Sequence, residues 1–276
     1  MTDGAALEQL IGRARGPAGP SVELDLGASK GPLYELSAVV SRLNGFFVFN
    51  AGVQVFRAGP EGVGPELGAW NEPEAWKDTY AGLADGLFCF GQDIFGVQFA
   101  VEGGTRVVTF DPETGARTTL GESLEDWAAW LLENPDVHGA AAFAHSYQAA
   151  RGPLTPDQRL VPLRFFFAGG GYEFENFAVR EAARAMRIRG PIAQQVHDLP
   201  DGTTIELRVV DPDAADSRSG RVHPRPDPPE LRDGQASADK YGSASEVSVA
   251  MPPPALLSSI ATIRFPVRAN RNSSST

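Results

Sequence analysis

The chain has 276 residues and is 42% apolar, which is enough for one or two domains built on a real core. Its net charge is −11, and because residues 211–276 carry eight basic and eight acidic side chains, the whole excess belongs to residues 1–210. An acidic body argues against binding nucleic acid or anionic lipid; it would suit a basic protein partner, although plain solubility is the more ordinary reason for such a charge.

Residues 1–32 have a weak apolar pattern followed by Gly16-Pro17-Ala18-Gly19-Pro20, and predict a short helix and a linker. Over residues 33–43, Leu36, Val39, Val40 and Leu43 recur at i, i+3, i+4 and i+7, one stripe of a helix that Asn44-Gly45 ends. Residues 46–49 and 53–56 read as two strands around Asn50-Ala51-Gly52. After a glycine- and proline-rich loop, residues 70–83 predict a helix, with Pro73 near its start and Trp76, Tyr80 and Leu83 on one side.

The clearest pattern lies in residues 87–134. Phe95, Val97, Phe99 and Val101 alternate with Gly96, Gln98, Ala100 and Glu102, which predicts a half-buried strand. A two-residue turn at Gly103-Gly104 sets Phe99 opposite Val108 and Val97 opposite Phe110, so that one face takes every phenylalanine. The run Asp111-Pro112-Glu113-Thr114-Gly115 turns the chain into a third strand through Leu120. Ser123 caps the next helix with Asp126 as its capping-box partner; Leu124, Trp127, Ala128 and Leu131 form the buried stripe, and Asn134-Pro135 stops it.

Residues 135–210 predict a small α/β extension packing on the core. It has an alanine-rich helix in 137–158, an apolar strand in 162–168 around Phe165-Phe166-Phe167, a turn at Gly169-Gly170-Gly171, a helix with Val179, Ala182, Ala183 and Met186 on one stripe, a new helix starting at Pro191, and a strand alternating Ile205, Leu207 and Val209. Residues 211–276, rich in Pro, Ser, Asp and Arg, predict a disordered tail, with residues 256–265 as the exception.

Catalytic machinery is hard to place. The glycine run 169–171 lacks the Lys-Ser/Thr of a phosphate loop, no Gly-x-Ser-x-Gly elbow occurs, and the single Cys89 sits in an apolar run without a partner. His138 and His145 stand seven apart on one possible helical face, but no ligand cluster accompanies them. No catalytic, cofactor or metal residue is assigned, and binding is favoured over turnover. The beginning of the chain has no signal-peptide run, and no stretch reaches the ~18 apolar residues of a membrane span, so a cytoplasmic address and no membrane partner are expected.

The order of a helix ending in Leu43-Asn44-Gly45, a strand and turn with Phe99-Ala100 and Gly103-Gly104, an aspartate turn, and a covering helix with Trp127 resembles the SUKH superfamily over residues 33–134. These are the Smi/Knr-type proteins, which include yeast cell-wall synthesis regulators and bacterial toxin-immunity proteins. The sequence departs from the pattern where Gly31-Pro32-Leu33 replaces the leucine-proline step, and where residues 135–210 extend beyond the family core. The resemblance implies an α+β domain, a mostly antiparallel sheet covered by helices, that recognises another protein without a cofactor. An immunity protein occluding a basic toxin domain is the first expectation; a regulatory or scaffold module of the same fold is the second, and a small enzyme the third. The contact surface is expected at the acidic, tryptophan-bearing segment Trp70, Glu72, Glu74, Trp76, Asp78 and Tyr80, together with Gln92 and Asp93 where the strands turn.

Overall fold

The computed structural model describes residues 5–200, 203–206 and 264–266. The chain first makes α1 (Ala5–Gly12) and α2 (Pro32–Arg42), then β1 (Phe46–Val48), β2 (Val53–Val55), α3 (Leu67–Asn71), β3 (Leu87–Asp93), β4 (Gln98–Glu102), β5 (Arg106–Phe110), β6 (Arg117–Gly121) and α4 (Leu124–Glu133). The six strands form one antiparallel sheet in the order β1-β2-β3-β4-β5-β6, each beside its neighbour in the chain. The architecture is α+β, as the sequence predicts.

Helix α4 forms as its sequence requires. Ser123 Oγ accepts from Asp126 N at 3.1 Å, and Asp126 Oδ2 accepts from Ser123 N at 3.1 Å, closing the capping box. Leu124, Trp127, Ala128 and Leu131 are buried, and the Trp127 ring stands edge-on to both Phe90 and Phe99 of the sheet. Glu125 on the same helix accepts from Ala6 N and Leu7 N, holding the first turn of α1. With Leu10 fully buried, the N-terminal helix is part of the core and not a detached leader to it.

Two expectations about the central sheet need correction. The turn does use positive φ at Gly103 and Gly104, and Thr105 N bonds Glu102 O at 3.2 Å, but the ladder then sets Glu102 opposite Arg106. Phe99 therefore lies opposite Thr109, and Gln98 opposite Phe110, one residue away from the expected register. The strand is also not half-buried, since Gln98, Phe99, Ala100 and Val101 are all buried. Helices cover both faces: Phe99 meets α4, while Phe110 meets Trp76 and Tyr80 on the other side. When both faces are apolar, a slip of one residue exposes no phenylalanine, and the alternation argument loses its force.

The single helix expected over residues 70–83 is instead α3, a 3-10 turn at Pro73–Ala75 and a second at Lys77–Tyr80. Pro73 follows an extended Glu72 (ψ 139°), so the chain breaks there rather than starting a long helix.

Beyond α4 lie α5 (Pro135–His138), α6 (Ala141–Arg151), β7 (Gln158–Pro162), β8 (Phe177–Glu181), α7 (Ala182–Val196), β9 (Thr204–Glu206) and β10 (Arg264–Pro266). Strands β7 and β8 pair antiparallel, as do β9 and β10. Phe95, Ala144, Tyr147, Leu160 and Phe177 make a second apolar cluster, and Met186 and Ala193 of α7 reach the main core. The strand sought at 162–168 lies earlier, at β7, and Phe166–Ala168 is a 3-10 turn. Val179 belongs to β8, and Pro191 sits inside α7 rather than at a new start. Gly139 and Ala140 separate α5 from α6, so His138 and His145 do not share a helix. His138 stacks on Trp130, with ring centroids 4.0 Å apart, and its Nδ1 lies 2.6 Å from Trp130 O. Leu207, Val209 and the expected disorder of 211–276 lie outside the described residues, apart from 264–266 in β10.

Candidate functional site

Of the eight residues expected to meet a partner, the structure divides the aromatic and amide members from most of the acidic ones. Trp70, Trp76, Tyr80 and Gln92 are buried, at 4% exposure for Trp70 and none for the other three. Their rings run in a chain, Phe56 to Trp70 to Trp76 to Tyr80 to Phe110, with centroids 5.1 to 6.0 Å apart. Trp76 Nε1 donates to Trp70 O at 3.0 Å and Tyr80 OH donates to Pro112 O at 2.9 Å. These four are core residues, which corrects the expectation that they form a contact surface. The rings face inward onto the sheet.

Glu72, Glu74 and Asp78 remain exposed, and Asp85 joins them. Lys77 runs between: its ammonium donates to Asn71 Oδ1 at 2.9 Å and Leu87 O at 2.7 Å, and it feels the charges of Asp85 and Glu72. Half-burial nevertheless lowers its pKa, the charges of Cys89, Asp85 and Glu72 opposing. Asp78 pairs with Arg187 at 2.8 Å. Glu72, Glu74 and Asp85 make no ion pair among the described residues, and form an acidic ridge seated on a rigid aromatic stack.

Asp93 is not a free contact either. Its Oδ1 accepts from Phe95 N at 2.9 Å and Val97 N at 2.8 Å, shaping the turn between β3 and β4. It belongs to a buried polar seam that crosses the sheet toward the later elements. Trp70 Nε1 donates to Gln98 Oε1 at 2.8 Å; Gln92 sits 3.4 Å from Gln98 and 3.2 Å from Gln54; and the Arg159 guanidinium reaches Gln54. With its amide oxygen facing that guanidinium, Gln92 accepts from Arg159 at 3.2 Å. Arg189, 1% exposed, donates to Phe95 O at 2.6 Å and Ala185 O at 2.9 Å. It lies against Gly96, whose φ of 83° and missing side chain leave it room.

Glu113 closes the seam. One carboxylate oxygen accepts from Phe166 N at 2.8 Å, and the other is buried without a hydrogen-bond partner. Burial pushes Glu113 up to about 8, with Asp111 adding and Arg189 opposing. Burial likewise pushes Asp93 up to about 6, against its two N–H bonds and the charges of Arg189 and Arg159. Arg159 is pushed down to about 10 by burial, with Asp93 and Asp157 opposing. Raised acids beside arginines are the raw material of acid-base chemistry, but structural networks perturb the same groups. Here Arg159, Arg189 and Glu113 tie residues 135–200 to the sheet, and the remaining hydrogen bonds hold the sheet and its β3–β4 turn together. Nothing local in the sequence marks Arg159, whereas Arg189 continues the Ala182, Met186 stripe of α7 at i+3, and an arginine on a buried stripe is the available signal.

No protein-family model matches the chain, and no curated protein matches it. Among solved structures it is similar to the crystal structure of Atu4351 from Agrobacterium tumefaciens, with 14% identity and a TM-score of 0.36 over 56% of this chain and 73% of that one. A likeness at that level carries no argument about fold or activity. Among the described residues, no helix is long and apolar enough to cross a membrane.

Proposed function

We propose that the chain is a non-catalytic, cytoplasmic protein-binding protein of the SUKH kind, an immunity protein that occludes a basic toxin domain through its acidic ridge. The observation that carries this reading is the ridge itself: Glu72, Glu74 and Asp85 stay exposed and unpaired above the buried Trp70, Trp76 and Tyr80. The buried Trp70, Trp76 and Tyr80 fix the backbone that carries the acidic side chains. Glu72, Glu74, Asp78 and Asp85 outnumber the Lys77 and Arg187 cations set among them, and a net negative patch speeds encounter with a basic partner. The segregation of the −11 charge into residues 1–210 supports the same reading.

The test is co-expression with a basic toxin domain encoded beside this gene. Rescue of growth by the native chain, lost when Glu72, Glu74 and Asp85 become lysine, supports the reading. Absence of both complex and rescue removes the immunity role. A complex with a partner that is not toxic transfers the same surface to a regulatory or scaffold module.

A further inference from the structure

Away from the ridge, a cleft of about 510 Å³ opens between the β1–β2 hairpin and the start of the 135–200 region. Its lining includes Arg15, Phe47, Asn50, His145, Thr155 and Arg159, and none of its lining residues is an aspartate or glutamate. In a chain with net charge −11, a cleft lined by two arginines and a histidine with no carboxylate is a locally positive place. We propose that this cleft binds a small phosphorylated molecule, with Arg15 and His145 holding the phosphate.

Each part of the cleft has a use in that role. The backbone of Arg15 is fixed on the edge strand, Arg15 N donating to Phe47 O at 2.8 Å and Phe47 N donating to Arg15 O at 2.9 Å. Its guanidinium makes no hydrogen bond or ion pair among the described residues, so its planar fork of donors is free. The exposed His145 imidazole, on α6, is free in the same sense. Arg159, 3% exposed, lies at the inner wall with its donors engaged by Gln54, Pro156 O and Gln158 O, and so contributes positive charge and no free donor. Asp157, its sequence neighbour, acts on Arg159 but is not in the lining. A guanidinium and an imidazole together offer directional, charge-assisted donors to a phosphate. Phe47 supplies an apolar wall for the organic part, and the volume is that of a small-molecule site.

The rim is held firmly. Gln148 Nε2 on α6 donates to Asn50 O at 2.7 Å, and Phe49, Asn50 and Ala51 all take positive φ, from 55° to 61°. Three consecutive left-handed residues that are not glycine keep the hairpin tip in a sparsely populated conformation, which α6 over-determines.

The experiment is isothermal titration calorimetry of the full chain with phenyl phosphate, and with benzoate as the carboxylate counterpart, at constant ionic strength. Saturable binding of phenyl phosphate is expected, weakened about tenfold or more in the Arg15→Ala, His145→Ala double variant, which removes two charge-assisted partners. Both side chains are exposed, and the unfolding midpoint of the variant should match the native one. The control Arg13→Ala, an exposed arginine outside the cleft, should bind as the native chain does. No saturable heat, equal binding by the double variant, equal weakening by Arg13→Ala, or benzoate binding as tightly as phenyl phosphate would each overturn the proposal.

Discussion

Trp70 Nε1 donates to Gln98 Oε1 at 2.8 Å, tying the first aromatic of the acidic segment to the middle of the sheet. Replacing Trp70 by phenylalanine keeps the ring but leaves a buried amide oxygen without its donor. The expected cost is about 1–3 kcal/mol, read as a lower urea midpoint with an unchanged denaturant slope. Partner affinity measured where the variant is fully folded should be unaltered. A loss of affinity without a loss of stability would return Trp70 to the contact surface.

Glu113 makes stability depend on pH in a particular direction. Its pKa is about 8 folded against an ordinary 4.5, so between those values the unfolded chain releases a proton that the folded chain retains. Stability contributed by the neutral acid is present below about 4.5 and is lost as pH rises toward about 8. Asp93 acts with the same sign between 3.8 and about 6. Glu113→Gln preserves an acceptor for Phe166 N and cannot ionise. The variant should therefore lose less stability than the native chain between about pH 6 and pH 8, by up to roughly 2–3 kcal/mol. Urea unfolding at the two pH values checks the difference.

The Cys89 thiol is fully buried, and burial pushes it up to about 12. It should react with a thiol-specific reagent only as fast as the protein opens, and at full speed in denaturant. Rapid labelling of the native chain would contradict the packing around β3.

Ser123→Ala removes the side-chain half of the α4 capping box. A loss of about 1 kcal/mol is expected, and since α4 carries Glu125, which caps α1, both helices should fray together. Hydrogen exchange at Ala6 and Leu7 alongside Asp126 reads this coupling.

The elements that were legible in the sequence are those whose cause is local. Helix α2 follows from the Leu36, Val39, Val40 spacing, and α4 from Ser123, Asp126 and the Trp127 stripe, because caps and periodicity act within a few residues. The register of β4 on β5 was not legible. It follows from a turn one residue longer than two, with Gly103, Gly104 and Thr105 between Glu102 and Arg106, and the apolar pattern gave no check on it because Trp76 and Tyr80 cover the second face over Phe110. The same covering misled the reading of the contact surface. Aromatics among carboxylates look like an exposed patch until the rings are seen to face inward onto the sheet. The carboxylates, having no apolar place to go, stayed where the sequence put them, and the buried Arg159 and Arg189 emerged only when distant elements came together.

The central claim is that the acidic ridge is the surface a basic partner meets. Its most direct test takes the products of the neighbouring genes, and for any basic domain among them measures the dissociation constant of the full chain at low and at physiological salt, beside that of the Glu72→Lys, Glu74→Lys, Asp85→Lys variant. Tight binding by the native chain that weakens as salt rises is expected, with a loss of about a hundredfold or more on charge reversal and folding intact. Equal affinity of the two chains, or no binding by either, would contradict it.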